Sequence, residues 1–330
     1  MENDNDGQQR TGPPLASGLG SQLQTDDSPL LNEALTRVPA AAAREVARQL
    51  GQPLKPGLYL VATPIGNLGD ITLRALSVLA EADMIYCEDT RRSGILMQHF
   101  SLSAPLRPYH EHNAAAQRPR LIADLERGKR VALISDAGTP LVSDPGYKLV
   151  RDVLDTGHPV VSIPGASAAL AALICAGLPT DAFYFAGFLP PKAGARLARI
   201  KDLQGIDATL VFYEAPTRMA ATLADLGNVL GPRHAAVARE LTKLHETISR
   251  GTLAELAERF ASAEERGEFV ILIGPPAAAE VSDAAIAAAL EGAMEEMRLK
   301  DAAKTVSGAL GVSRNRVYDI GLKLKGKRSG

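Results

Sequence analysis

Two loops of this sequence hold glycine, proline and polar residues directly after apolar runs of strand type. The segment TPIGNLGD at 63–70 ends the run GLYLVAT, and DAGTPLVSDPG at 136–146 follows RVALIS. The second loop is longer than a chain reversal needs, so we favour a ligand-binding loop there. For the first loop, an ordinary glycine-containing turn is an equal alternative.

A third segment, IPGASA at 163–168, adds Ser167, either as a helix N-cap or as a hydroxyl that contacts a ligand. Because ligands bind at the carboxyl ends of strands in open α/β sheets, we expect the three segments to meet at one edge. The first loop lacks the GxGxxG pattern, and the helix after it starts at Thr72, too late to hold a pyrophosphate on its first turn. A dinucleotide cofactor is therefore disfavoured.

Alternating strand and helix patterns must position these loops. Apolar runs at 57–63, 83–87, 130–135 and 159–163 alternate with helical patterns such as Thr72–Ala82 and Pro145–Thr156, which predicts a mostly parallel sheet. A second set has strands at 183–189, 208–214, 235–238 and 269–275 and helices at about 193–204, 216–230 and 252–263. We therefore predict two consecutive α/β domains, at 56–179 and 180–277, that join near Gly177–Asp181.

The two ends of the chain differ from this pattern in charge. Residues 1–37 have six acidic and two basic residues among many Gly, Pro, Ser and Gln, which predicts disorder. The Ala-rich stretch 38–51 predicts a short helix, and together they form an extension over 1–55. Residues 293–330 carry nine basic and four acidic residues, a net charge of +5.

The predicted tail at 278–330 contains a helix-turn-helix pattern. One helix ends near Gly311, Ser313 is the N-cap of the next, and Arg314 and Arg316 lie on its first turn. A packing or dimerisation role and contact with nucleic acid are both open for this pair of helices. The positive charge favours RNA.

Composition narrows the class of protein. The 330 residues have 46% hydrophobic content and a net charge of −2, as in globular proteins. Cys87 and Cys175 lack a CxxC or His partner in sequence, so we expect neither a disulfide framework nor a metal site. The N-terminus is acidic, and Pro164 and Gly165 interrupt the longest uncharged stretch. We therefore expect a cytoplasmic protein without a membrane span.

Six motifs occur in order between about residues 57 and 275. They are TPIGNLGDIT at 63–72, EDTR at 88–91, SDAGTPLVSDPG at 135–146, IPGASA at 163–168, FYEAPTR at 212–218 and ARELTK at 238–243. With these motifs the sequence resembles the bacterial 16S ribosomal RNA methyltransferase I family of the tetrapyrrole methylase superfamily. Six motifs at matching spacing make this resemblance specific.

The resemblance implies two α/β domains with S-adenosylmethionine in the cleft between them, a homodimer, and 2′-O-methylation of one cytidine ribose in the decoding region of the small ribosomal subunit. On this basis the cofactor contacts are Ile65, Gly66, Asp136, Ala137, Gly138, Thr139, Val142, Ser167, Ala168, Tyr213, Glu214 and Leu241. Tetrapyrrole methylases usually carry Gly-Gly-Asp-Pro where this chain has Ala-Gly-Thr-Pro at 137–140, which weighs against a porphyrinoid substrate.

Methyl transfer to a hydroxyl requires that its proton be removed or accommodated. The candidate catalytic residues are Glu88, Asp89, Arg91 and His110, with Arg92, Tyr109, Glu111 and His112 beside them. The alternative is that EDTRR only starts a helix, with its acids favoured by the helix dipole, and that His110 lies in a surface loop.

Basic residues near the predicted strand ends and in the tail could hold RNA phosphates. The candidates are Lys192, Arg218, Lys243, Arg314 and Arg316. Ordinary solvated charges are the alternative.

Two other functions stay open at this point. Methylation of a tetrapyrrole shares the fold and the cofactor but does not explain the basic tail. A ligand-sensing, DNA-binding regulator explains the tail but not the number of motifs between 57 and 275.

Overall fold

The computed structural model describes residues 29–143, 147–261, 266–276 and 281–328. The chain divides into two compact units, Met1–Ser167 and Ala168–Gly330. Residues 1–28 of the predicted disordered tail lie outside the described residues.

The first unit contains a parallel sheet with helices on both faces. Its strands are β1 (Gly57–Val61), β2 (Met84–Cys87), β3 (Leu106–Pro108), β4 (Arg130–Leu133) and β5 (Val160–Ile163). Its helices are α1 (Pro29–Leu50), α2 (Leu73–Glu81), α3 (Thr90–His99), α4 (Ala114–Glu126) and α5 (Tyr147–Asp155). The strand order is β3-β2-β4-β1-β5, and every pairing is parallel.

Alternate residues of the central strands enter two apolar clusters. Val61 and Ile85 lie in the cluster that includes residues of α2 and α3, whereas Leu58 and Val131 lie in the cluster that includes residues of α4 and α5. Burial on both faces explains why these strands are continuously apolar in sequence. The predicted parallel sheet is confirmed.

Two elements of the first unit are absent from the sequence prediction. Strand β3 has only one large apolar residue, Leu106, in its three positions. Helix α4 contains Pro119, which as a rule interrupts a helix. Neither segment therefore has the periodicity that identifies the other elements.

The N-terminal extension is helical further toward its start than the sequence predicts. Helix α1 begins at Pro29, so the prediction of disorder is wrong for residues 29–37. Glu33 and Arg37 form an ion pair of 2.6 Å one helical turn apart, and α1 contacts α2. The average composition of residues 1–37 conceals this local pairing.

The second unit contains a mixed sheet. Its strands are β6 (Phe183–Phe188), β7 (Thr209–Glu214), β8 (His234–Arg239), β9 (Thr247–Thr252) and β10 (Phe269–Ile273). Its first four helices are α6 (Ala168–Ala176), α7 (Ala193–Leu203), α8 (Met219–Leu230) and α9 (Leu253–Ala261). The order is β6-β7-β10-β8-β9, with β6 parallel to β7 and the other pairings antiparallel. Edge strand β9 was not predicted because TISRGT has a single large apolar residue.

Helix α6 belongs to the second unit, so the boundary lies ten residues before the predicted join near Gly177–Asp181. Helix α6 contacts β7, β8 and β10, and the Arg250 guanidinium donates to the Ala176 carbonyl at 3.1 Å. The glycine and proline residues at 177–181 mark a turn. They carry no information about which sheet the preceding helix contacts.

Three helices form the C-terminal region: α10 (Asp283–Glu296), α11 (Leu299–Leu310) and α12 (Arg314–Arg328). They share their own apolar cluster, which includes Leu290, Leu299 and Val317. Gly311 ends α11 in the left-handed conformation. The Ser313 hydroxyl accepts a hydrogen bond of 3.2 Å from the Arg316 backbone N–H in the first turn of α12. The predicted helix-turn-helix is confirmed as α11 and α12. No described helix has both the length and the apolar content to cross a membrane.

Candidate functional site

Three loops of the first unit meet because β4, β1 and β5 are neighbours in the sheet. Thr63 and Gly138 exchange two backbone hydrogen bonds, of 2.9 Å from the Thr63 N–H and 3.0 Å from the Gly138 N–H. The Thr139 hydroxyl donates to the Ala166 carbonyl at 3.2 Å. The three segments expected at one edge therefore lie in contact there.

Gly138 occupies a position that excludes a side chain. Its φ is +77°, and a Cβ at this residue would lie 3.2 Å from Ile65 Cγ2 and 3.5 Å from the Ala166 carbonyl. Gly165 in the third loop is also confined, since its Cβ would lie 2.9 Å from Ala62 Cβ. Glycine is thus required for the close approach of these backbones.

Thr63 and Ser135, which were not among the candidate residues, form hydrogen bonds within the same loops through their buried hydroxyls. The Thr63 hydroxyl donates to the Ser135 carbonyl at 3.1 Å, and the Ser135 hydroxyl donates to the Ala137 carbonyl at 3.1 Å. Further along, Leu141 and Ser143 have φ values of 74° and 65°. Such values in non-glycine residues occur mainly where the surrounding structure and the function require them.

The loop edge presents small residues and backbone to solvent. Gly66, Ala137 and Val142 are exposed, whereas Ile65 and Gly138 are buried beneath them. The backbone groups of Gly66 and Ala137 are therefore accessible to a ligand beside Gly138, where there is little room for a side chain. The end of the predicted loop, 144–146, lies outside the described residues.

Asp89 and Arg91 have structural roles that match the alternative interpretation of EDTRR as a helix start. Asp89 is the N-cap of α3, accepts from the Arg91 N–H at 2.8 Å and forms a 2.9 Å ion pair with the Arg91 guanidinium. These hydrogen bonds lower the pKa of Asp89 to about 2. A carboxylate with so low a pKa is a weak proton acceptor.

Asp136 links the segment that follows β4 to the segment that follows β2. Its carboxylate accepts from the Asp89 N–H at 2.9 Å and lies 3.6 Å from the Arg92 guanidinium. The side chain is therefore held in place by α3, on the side of the loop where Glu88 lies.

Glu88 lines a pocket at the ends of β2, β3 and β4. Tyr109, Ser135 and Leu141 are among the other lining residues, and the cavity volume is about 10 Å³, which is room for about one water molecule. Partial burial raises the pKa of Glu88, as does the Asp136 carboxylate, while Arg92 and His110 oppose the shift. Of the acidic catalytic candidates, Glu88 is the one whose environment strengthens it as a base.

His110 lies at the end of β3 in a defined orientation. The Asn113 carboxamide oxygen accepts from the backbone N–H of His110 at 2.9 Å. The carboxamide nitrogen of Asn113 therefore faces Nε2 of the His110 ring, at 3.1 Å. Neutral His110 therefore carries its proton on Nδ1, which is buried without a hydrogen-bond partner among the described residues. This orientation differs from that of a loosely held surface histidine.

Glu214 of the second unit is buried and fully paired. It accepts from Thr222 Oγ1 at 2.6 Å and from the Ala215 N–H at 2.7 Å, and Arg218 lies 2.5 Å away. Arg218 also donates to the Leu189 carbonyl at 3.1 Å. These contacts give Arg218 a structural role within the second unit.

The other candidates of the second sheet differ in their availability. Lys243 lies 2.9 Å from Glu240 and 3.3 Å from Glu268; burial disfavours its charged form, but these carboxylates raise its pKa overall. Leu241 is buried between residues 240 and 242, both of positive φ. Lys192 is exposed beside the first residue of α7.

The two arginines of the tail bind other parts of the helical region. Arg316 donates to the Asp283 carboxylate at 2.8 and 3.1 Å and to the Val281 carbonyl at 2.9 Å. Arg314 donates to the Lys300 carbonyl at 3.3 Å. Their charge suggested RNA contact, but their hydrogen bonds join α12 to the start of α10 and to α11.

Comparison with known proteins gives matches over both parts of the chain. Residues 57–257 match the family described as Tetrapyrrole (Corrin/Porphyrin) Methylases, and residues 280–325 match the RsmI C-terminal HTH domain. A protein of Mesorhizobium japonicum named ribosomal RNA small subunit methyltransferase I is 50% identical over 276 residues, 83% of this chain and 94% of the relative. The protein of the same name from Pseudomonas aeruginosa is 47% identical, over 82% and 98%.

A solved structure shares the fold of the α/β part. Uroporphyrin-III C-methyltransferase from Thermus thermophilus has a TM-score of 0.50 and 23% identity, and the match covers 66% of this chain and 94% of that chain. At this level of identity the likeness concerns the fold alone.

We predict that Arg316→Ala weakens the helical region. An exposed ion pair contributes about 0.2–1 kcal/mol, and this change also removes the bond to the Val281 carbonyl. Urea unfolding should show a lower midpoint than for Lys304→Ala, which removes the same charge from an exposed site on α11. Equal midpoints, with a flatter salt dependence of RNA binding for Arg316→Ala alone, would restore Arg316 as a phosphate contact.

Proposed function

The chain belongs to the ribosomal RNA small subunit methyltransferase I family of the tetrapyrrole methylases, and from this membership we propose that it methylates the 2′-hydroxyl of a cytidine in the decoding region of 16S ribosomal RNA. Membership makes it an S-adenosylmethionine-dependent methyltransferase of small-subunit ribosomal RNA. The specific cytidine, its 2′-oxygen, a homodimeric state and a cytoplasmic location are parts of the proposal.

Similarity to the relatives favours methylation of ribosomal RNA over methylation of a tetrapyrrole. Two relatives named for ribosomal RNA are 50% and 47% identical to this chain, whereas the tetrapyrrole-modifying structure is 23% identical. The helical region at 280–325 moreover matches a domain model named for the ribosomal RNA enzyme. A DNA-binding regulator is disfavoured because the larger match, 57–257, is to methylases.

The test supplies radiolabelled S-adenosylmethionine with four acceptors: small ribosomal subunits, naked 16S ribosomal RNA, uroporphyrinogen III and duplex DNA. We expect label in the small subunits. Naked RNA should be labelled as well only if the protein does not need the folded subunit to recognise its target. Label in uroporphyrinogen III but in neither RNA sample would overturn the proposal.

The first unit fits its part of the cofactor at the joined loops. Gly66, Ala137 and Val142 are exposed around the buried Ile65 and Gly138, so backbone groups can face a ligand at close range. When bound, S-adenosylmethionine supplies the activated methyl group. The assigned residues Asp136, Thr139 and Ser167 belong to the loops of the first unit, and Ala168, Tyr213, Glu214 and Leu241 are the assignments in the second unit.

We assign the acceptance of the ribose proton to Glu88. Its carboxylate lines the pocket beside the loop edge and has a raised pKa, whereas Asp89 is committed as a helix cap. Interaction with His110 opposes the rise in the pKa of Glu88. The protein's remaining task is to hold the hydroxyl in line with the methyl group.

We predict that Gly138→Val abolishes binding of S-adenosylhomocysteine. The added carbons would push against Ile65 Cγ2 and the Ala166 carbonyl at the joined loops. Gly128→Val is the matched control because Gly128 has a similar φ, +74°, with no atom within 4 Å of its added Cβ. Isothermal titration should show at least a roughly 10-fold loss for the first variant alone. Equal affinities would remove the loop from the cofactor site.

We predict that Glu88→Gln lowers kcat by roughly 100- to 10,000-fold, the range for loss of a general base, with unchanged affinity for S-adenosylhomocysteine. In the wild type, log kcat should rise with pH until Glu88 is deprotonated, above the usual range for a glutamate because its pKa is raised. The rise should be absent in the variant. Wild-type rates and an unchanged pH profile in Glu88→Gln would contradict the assignment.

A further inference from the structure

Strand β6 concentrates aromatic residues in a chain that is poor in them. The whole sequence has seven Phe, seven Tyr and no Trp, yet the six residues of β6 include Phe183, Tyr184, Phe185 and Phe188. Strand β6 lies at the edge of the sheet and pairs only with β7, and its residue Phe188 is 55% exposed. Phe183 and Tyr184 of the same strand are exposed as well, so β6 presents an aromatic surface.

A β-bulge brings two of these rings to one face of the sheet. In a regular strand, residues three positions apart point to opposite faces. The pairing with β7 shifts between Phe185 and Gly187, and Gly187 has a φ of +65°. This irregularity re-aims Phe188, so that both Phe185 and Phe188 contact the same ring of β7, that of Tyr213.

The three rings support one another in fixed orientations. The Tyr213 ring lies 5.0 Å from that of Phe185 and 5.6 Å from that of Phe188, with interplanar angles of 70° and 62°. Such edge-to-face contacts are favourable and hold the rings without burying them completely. Tyr213 and Phe185 are half-buried, so Phe188 is the ring most open to a ligand.

The charged residues that adjoin these rings in sequence are compatible with an anionic ligand. Glu214, next to Tyr213, is buried and paired with Arg218, so its charge is compensated. Lys192, four residues after Phe188, is exposed. An exposed ring followed four residues later by an accessible ammonium group suits a nucleotide, whose base stacks on aromatic rings and whose phosphate attracts cations.

We propose that the cluster of Phe185, Phe188 and Tyr213 is a stacking site for one unpaired nucleotide of the substrate RNA, with its base on Phe188 and its phosphate near Lys192. The inference rests on the proposed function, because it takes the RNA substrate from there. It adds Phe185 and Phe188, which lie outside the six sequence motifs, beside Tyr213 of the motif FYEAPTR.

The test compares Phe188→Leu with Phe188→Tyr and uses Tyr184→Leu as the control. Leucine keeps apolar bulk without a ring, whereas tyrosine keeps the ring. Tyr184 is an exposed aromatic residue of the same strand whose hydroxyl accepts from Arg199 of α7 at 3.0 Å, outside the three-ring cluster. Each variant is assayed for KM toward small ribosomal subunits, kcat and affinity for S-adenosylhomocysteine, and its thermal midpoint is recorded.

We expect Phe188→Leu to raise KM for the subunit by roughly 10-fold, within the range for losing one base–aromatic stack, with cofactor affinity and thermal midpoint unchanged. Phe188→Tyr and Tyr184→Leu should behave like the wild type. A loss of cofactor affinity in Phe188→Leu would assign the ring to the cofactor instead. An unchanged KM, or a changed oligomeric state, would equally overturn the stacking site. Failure of the proposed function would show differently, as no transfer to RNA by the wild type.

Discussion

The reciprocal backbone hydrogen bonds between Thr63 and Gly138 are the constraint on which the candidate site depends. They fix the loop after β1 against the loop after β4, and the Thr139 hydroxyl extends the contact to the loop after β5. A Cβ at Gly138 would lie 3.2 Å from Ile65 Cγ2 and strain this approach, and the buried hydroxyls of Thr63 and Ser135 add hydrogen bonds within the loops. The accessible backbone at Gly66 and Ala137 is a consequence of that fixed geometry.

Most of the fold could be predicted because its central strands are buried on both faces and most of its helices have apolar periodicity. Where the pattern failed, the reason was local: Leu106 is the single large apolar residue of β3, and Pro119 interrupts the pattern of α4. The boundary between the units depends on the packing of α6, which turn residues do not report. The helix that starts at Pro29 contains the ion pair Glu33–Arg37, a local pairing that average composition does not reveal.

The charged candidates show a sharper limit of sequence reasoning. Asp89, Arg218 and Arg316 have the residue types that chemistry or RNA binding would need, but their partners within the chain account for them. Such partners lie two residues away for Asp89 and 33 residues away for Arg316, and only the fold identifies the distant ones. Glu88 stands apart because the fold places it at a pocket and raises its pKa. Phe188 of β6 is absent from the candidates for a related reason, since the strand pattern conceals the bulge that turns it toward Tyr213.

The most direct test of the account is the chemical identity of the methylated product. Small ribosomal subunits that have been incubated with the protein and S-adenosylmethionine would be digested to nucleosides and to defined fragments and analysed by mass spectrometry. The account predicts one additional 2′-O-methylcytidine per subunit, in a fragment from the decoding region. A methyl group on a base, on a ribosomal protein or on a ribose elsewhere in the subunit would contradict it.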